Sequence, residues 1–291
     1  MNQTSWRHHY IPQFYLNGFT TPENRFRIFN VQSGKFVKNG KEFHPESYFF
    51  EKNANTIITK KEKTDFIEKH YAKVDSRNAE IFNRINQSSP EDKFNISDDD
   101  IATLQHFVGV MYWRIPSNYN EVRDIISRKT LKELGLIITN EKNEQITKPE
   151  LEKRLKSDNN FFKAMKSFFA DISYPELFDC NTQLHILSVP NMLSSVCSDN
   201  PIICENPSRF RVYTDDFIFP LSSNRIFIRG KKREKVSAII KPYIDLIIYK
   251  QAKNYVSFTN DNYRKDLDNI FHKLGYSLNE LRKKVFEDIV E

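Results

Sequence analysis

Residues 25–30 read Arg-Phe-Arg-Ile-Phe-Asn, with polar and apolar side chains alternating, and this predicts a half-buried strand. Ser33 and Gly34 suit a turn into a second short strand at 35–37, and 44–50 continues as a short strand or 3₁₀ turn. From Thr64 the period lengthens. Ile67, Tyr71, Val74, Ile81, Phe82 and Ile85 fall at helical spacing, with Thr64 as the expected cap. A second helix is predicted from Ser97, where three aspartates in the first turn suit the helix dipole. Its apolar stripe is Ile101, Leu104, Phe107, Val108, Met111 and Tyr112, and Pro116 stops it. Further helices are predicted at 117–134 and 150–172, on either side of a polar loop at 140–148.

Past residue 183 the texture returns to strands. Leu184, Ile186, Leu187 and Val189 predict a buried strand, and Val196-Cys197-Ser198 a second that breaks at Asp199-Asn200-Pro201. Residues 217–221 and 225–228 predict two more strands about a Ser222-Ser223-Asn224 turn. The segments 236–257 and 263–290 read as helical. The expected architecture is one α+β domain over 1–291. It comprises an N-terminal motif with a small sheet (1–60), a helical region (61–175), a mostly antiparallel β region (183–229) and C-terminal helices (236–291).

Composition agrees with a packed, soluble protein: 39% of the 291 residues are hydrophobic, and 24 Phe and 13 Tyr supply the bulk of a core. A net charge of +6 permits a polyanionic partner without demanding one. Cys180, Cys197 and Cys204 form no CxxC pair, which argues against a disulfide framework or zinc knuckle and for a reducing, cytoplasmic setting. Neither a signal-peptide core nor an apolar run of spanning length is found. No P-loop, GxGxxG or GxSxG is present, which disfavours Walker-type hydrolysis and α/β-hydrolase chemistry.

Four stretches carry candidate chemistry, each with a structural alternative. The opening SWRHHYIPQFYLNGF holds His8 and His9 before an aromatic run. Either imidazole could ligate a metal or move a proton, or both could belong to an aromatic cap. Asp199, at a strand end, could bind a divalent metal or orient a histidine; alternatively Asp199 and Asn200 form an Asx-Pro turn. Arg114, at the end of the second helix, could reach a phosphate or bond the last helical carbonyls. His106, off the apolar stripe of that helix, is expected in solvent. The basic run Lys231-Lys232-Arg233, following Arg225 and Arg229, suits a polyanion or a solvated face.

The opening HHYIPQFYLNGF, the helix end WRIPSN, and the pair CSDNPII and FPLSSNRIFI together resemble the bacterial family of domain of unknown function 4238. The resemblance places its pattern on His8, His9, Pro12, Tyr15, Leu16, Phe19, Arg114, Pro116, Ser198, Asp199, Pro201, Pro220, Leu221 and Ser222. It implies that distant motifs converge on one pocket. The expected function is a metal-dependent nuclease or other phosphodiesterase, in the role of a phage-defence effector. In that reading His8, His9 and Asp199 are catalytic and hold Mg²⁺ or Mn²⁺, with Arg114 stabilising phosphate charge. Glu68 and Glu80 are supplementary acids. Gln13, Tyr15, Asn200, Arg229, Lys231 and Lys232 are the expected contacts to a nucleic-acid or nucleotide substrate. The alternative is a non-catalytic module that recognises nucleic acid, nucleotide or protein.

Overall fold

The computed structural model describes residues 6–60, 62–88, 96–140, 142–146, 148–173, 184–189, 194–207, 210–230 and 239–289. In chain order the first part comprises β1 (Arg7–His9), α1 (Gln13–Leu16), β2 (Phe26–Asn30), β3 (Lys35–Phe36), β4 (Glu42–Phe43), β5 (Phe50–Lys52), β6 (Ile57–Ile58) and β7 (Lys63–Thr64). Helices α2 (Phe66–Gln87), α3 (Asp98–Arg114), α4 (Tyr119–Arg128), α5 (Pro149–Lys156) and α6 (Asn159–Ile172) follow. The last part holds β8 (Leu184–Ser188), β9 (Val196–Ser198), β10 (Ile203–Cys204), β11 (Phe217–Ser222), β12 (Arg225–Arg229), α7 (Ile240–Gln251), β13 (Tyr255–Phe258), α8 (Asp261–Leu274) and α9 (Leu278–Ile289). The architecture is α+β, and all strand pairings are antiparallel among the described residues.

The sheet ordered β10-β11-β12-β8 lies between two apolar cores. Successive residues of a strand face opposite sides. Phe217, Phe219 and Leu221 accordingly enter the core shared with α2, α3 and α6, and Ile218 enters the core shared with α7 and α9. Burial on both faces is why the run Phe-Ile-Phe-Pro-Leu-Ser is continuously apolar rather than alternating. Pro220 is accommodated where the β11–β12 register shifts, and its carbonyl accepts the Tyr15 hydroxyl at 2.9 Å.

The opening motif is drawn into the first core by its aromatic residues. Tyr15 stacks on Phe219 with centroids 5.1 Å apart, and Phe14 meets Phe82 and Phe107 at 5.3 and 5.5 Å. Gly18 permits a close approach: a Cβ there would sit 3.0 Å from the Leu221 carbonyl oxygen. These contacts anchor the segment that carries His8 and His9.

Helix α3 starts with a capping box, in which Ser97 Oγ accepts the Asp100 N–H and the Asp100 carboxylate accepts the Ser97 N–H. From Thr103 onward every residue except His106 is buried, beyond the predicted stripe, because α2, α6 and the β11 sheet surround it. Thr64 does not cap α2; Asp65 stands at that position without a side-chain cap bond. The helix expected over 150–172 is two helices, since Asp158 caps a new start by accepting the Asn160 N–H. The segment expected to run helically to 257 ends at Gln251, and Tyr255–Phe258 is a strand between β2 and β9. The tertiary pairing of that Tyr-Val-Ser-Phe run overrides a pattern that local reading assigned to helix. The last helical segment breaks at Gly275, where φ is +64°. Among the described residues no helix is long and apolar enough to cross a membrane.

Candidate active site

Strands β1 and β5 form a two-stranded ribbon that pairs Arg7 with Lys52, His8 with Glu51 and His9 with Phe50. Alternation along β1 turns His8 inward, where it is 2% exposed, and leaves Arg7 and His9 on the opposite face. Pro12 then starts α1, and the N–H groups of Tyr10 and Ile11 both reach the Phe49 carbonyl, fixing the bend between strand and helix.

His9 lies on the wall of a cavity of about 260 Å³, shared with Arg7, Gln13, Glu68, Asp75 and Arg114. Its Nε2 is 3.3 Å from the Glu46 carbonyl oxygen, so in the neutral ring the proton sits there and Nδ1 is the basic nitrogen. Burial lowers the His9 pKa below its usual range, and Arg114 and Arg7 act in the same direction against Glu68. The imidazole is therefore neutral at pH 7, the protonation state a general base requires.

Arg114 enters from the end of α3 and is 3% exposed. Its Nη1 donates to both Asp75 oxygens, at 3.0 and 3.1 Å, and its guanidinium lies 4.3 Å from the Tyr71 ring centroid. Neither expected role describes this contact: the side chain reaches a carboxylate on α2 rather than its own last carbonyls. Burial pushes the Asp75 carboxyl above the usual range against the pull of Arg114.

Beneath the ribbon a polar chain continues from this cavity. The Asn55 N–H donates to His8 Nδ1 at 2.8 Å, and Asn55 Nδ2 donates to Glu68 at 2.6 Å. Asn55 Oδ1 accepts from Lys166 Nζ at 3.2 Å, and Lys166 also reaches the Tyr119 hydroxyl at 3.0 Å. Tyr119 in turn donates to Glu51 at 2.9 Å. His8 is thus a buried member of this network, with Glu68 at 3.6 Å, rather than a group open to substrate.

Of the expected site residues, His9, Gln13 and Arg114 share the cavity, joined by Glu68 from the supplementary pair. Glu80 does not line it. Asp199, expected beside the histidines, instead accepts the backbone N–H groups of Lys253, Asn254 and Tyr255, at 2.9, 2.6 and 3.1 Å. It holds the loop that feeds β13, and its oxygens are occupied by that task. Asn200 cross-links the same corner: its Nδ2 reaches the Gln251 carbonyl, and its own carbonyl accepts from Gln251. Tyr15 is fully buried in the core. Arg229 donates to the Tyr213 carbonyl on another face of the fold. Lys231 and Lys232 lie outside the described residues.

The expected donor set of His8, His9 and Asp199 is accordingly not assembled. Among the described residues no group of three or more His, Cys, Asp or Glu side chains is placed to hold a metal ion.

Residues 7–260 match the family model described as protein of unknown function, DUF4238. The chain belongs to that family. No curated protein and no solved structure shows significant similarity to it. The family match spans β1, the cavity and the Asp199 corner, and ends in the loop between β13 and α8.

Asp75 was not singled out in the sequence, although a signal exists. Glu68 and Asp75 are seven residues apart on α2, two helical turns, and so share one face. His106, expected in solvent, pairs instead with His70 about a shared carboxylate. In a separate cavity of about 580 Å³, His106 and His70 present Nε2 to the two Asp171 oxygens at 3.0 and 3.5 Å. His106 is therefore half-buried and hydrogen-bonded rather than free in solvent. Cys197 and Cys204 are buried free thiols, and burial pushes both above the usual range, as befits inert core residues.

Proposed function

We propose that this protein is a phosphodiesterase acting on nucleic acid or a nucleotide, with the His9 cavity as its reaction centre. One observation carries the reading: a desolvated, neutral imidazole, two carboxylates and two guanidinium groups line a single cavity of about 260 Å³. That is a proton acceptor and anion-stabilising charge brought to one place. His9 takes the proton from the attacking water or hydroxyl as its oxygen bonds phosphorus. The P–O bond to the leaving oxygen breaks, and the imidazolium or solvent returns a proton to that oxygen. Arg7, exposed at the rim, receives the phosphate oxygens. Arg114 is a positioning residue, its Nη1 held by Asp75, and its charge stabilises the cavity wall. Glu68 orients groups at the base through Asn55. No step in this scheme runs through a metal ion.

The test is incubation of purified protein with labelled single- and double-stranded RNA and DNA, with EDTA, Mg²⁺ or Mn²⁺, beside His9→Ala. Cleavage reduced about 10²-fold or more in the variant, with an unchanged melting temperature, is the expected result. Cleavage indifferent to His9→Ala, or none on any substrate, would refute the proposal.

A non-catalytic recognition module is the second reading. It is favoured by Trp6, which is 46% exposed and flanked by Arg7 and Lys52 at 4.9 and 5.3 Å from its ring centroid. Such a platform stacks bases and contacts phosphates. Binding without cleavage, lost in Trp6→Ala, would decide for it.

A further inference from the structure

Across the ribbon from His9 lies a second cavity, of about 430 Å³, between β5, α4 and α6. Its charged and phenolic lining comprises Glu51, Lys52, Tyr119, Arg123, Lys163 and Lys166. Four cations face one carboxylate, and that carboxylate is engaged by the Tyr119 hydroxyl. Among the described residues none of the four cations is ion-paired to a carboxylate. Lys163 Nζ donates to the Thr56 and Asn53 carbonyls at 2.7 and 3.4 Å. The Arg123 guanidinium stands 3.8 Å from the Phe162 centroid, and Lys52 leans on Trp6.

Lys166 is the informative member. It is 2% exposed, and burying an ammonium group is unfavourable unless charge and hydrogen bonds compensate. An ammonium has three donors, and both of its protein acceptors, Asn55 Oδ1 and Tyr119 Oη, are neutral. The fold thus retains, at the wall of a concave cavity, a buried cation that touches no carboxylate directly: Glu51 and Glu68 reach it only through the Tyr119 hydroxyl and the Asn55 amide.

We propose that this cavity binds a phosphate group, with Lys166 as the buried contact and Arg123, Lys163 and Lys52 closing around it. Phosphate suits the set because its oxygens accept from a point-charge ammonium and a planar guanidinium together. The site is separate from the His9 cavity, and it requires no turnover there.

The protonation state of Lys166 gives the site a signature. Burial pushes its pKa down to about 8, with Arg114 and Lys163 acting the same way against Glu51 and Glu68. A bound phosphate draws a proton back onto Nζ, so affinity weakens as pH rises through the free-state value.

Calorimetric titration at pH 7 and 8, with inorganic phosphate, adenosine 5′-monophosphate and a twelve-nucleotide RNA, tests the assignment. The expected result is binding with Kd below about 1 mM for at least one probe, weakened about tenfold or more in Lys166→Met. Arg123→Gln and Lys163→Gln, which change more exposed groups, should each weaken it severalfold and cover a failure of Lys166→Met to fold. At pH 8 the heat should depend on the ionisation enthalpy of the buffer, reporting proton uptake. RNA binding far more tightly, with a steep salt dependence, identifies a nucleic-acid backbone as the source; equal binding of the mononucleotide identifies a small ligand. Binding that persists in His9→Ala keeps the result independent of the phosphodiesterase reading. Absence of binding for all three probes, indifference to the Lys166, Arg123 and Lys163 variants, or loss of binding in His9→Ala would overturn the proposal.

Discussion

Arg114→Ala isolates what the buried guanidinium contributes. The side chains of Arg114 and Asp75 are 4% and 23% exposed, and two N–H···O bonds of 3.0 and 3.1 Å join them. Removing one partner of such a pair leaves an uncompensated buried charge and costs about 3–5 kcal/mol. The guanidinium also covers the Tyr71 ring, whose contact is lost in the same variant. For a chain of this size, with about 2–4 °C lost per kcal/mol, the melting temperature should fall by about 10 °C. Asp75→Asn in the same background removes the stranded charge and should recover a large part of the loss. The sign of the pH dependence follows from Asp75, whose carboxyl burial already holds above its ordinary range. Without Arg114 it rises further, so the folded state binds the proton more tightly than the unfolded chain. The deficit is therefore present above that raised pKa and shrinks as pH falls through it. Urea unfolding of the two single variants and the double variant, at pH 7 and pH 5, measures all of this. A cost under about 1 kcal/mol for Arg114→Ala, or no recovery from Asp75→Asn, would refute the buried-pair argument.

Two further outcomes are expected. Because burial lowers the His9 pKa, kcat/KM on the cleaved substrate should stay flat through pH 7 and fall only as pH drops through a value below 6.5; a fall centred at or above 6.5 would remove His9 as the base. Asp199→Ala strands three backbone N–H groups and should cost about 3 kcal/mol in urea unfolding while leaving activity per folded molecule unchanged; the opposite pattern would restore Asp199 to the reaction centre.

Much of the local structure was legible because short-range physics dictates it. The alternation at 26–30 became β2, and the Ser97 signal became a complete capping box. The aromatic opening was readable as core-forming, and Tyr15, Leu16 and Phe19 are buried at 0–1% exposure. Strand β13 was not readable. Its four residues gain their partners from β2 and β9, which lie more than 200 and about 60 residues away, and no window of local sequence contains that pairing. The role of Asp199 was hidden for the same reason, since the N–H groups it accepts are 54 to 56 residues downstream.

By itself the sequence determined the α+β class and most of the element types set by period and caps. Only the tertiary structure decided the cavity beside His9 and which residues line it. It turned His8 inward and His9 outward through strand alternation on β1. It brought Glu68 and Asp75 of α2 to the cavity that Arg114 of α3 lines, and it committed the Asp199 carboxylate to the backbone N–H groups of Lys253, Asn254 and Tyr255. It also gathered Lys52, Arg123, Lys163 and Lys166 from three elements into one cavity. Helical and strand periods are properties of neighbouring residues, whereas the burial of a charge and the choice of its partner depend on which distant surfaces the core presses together.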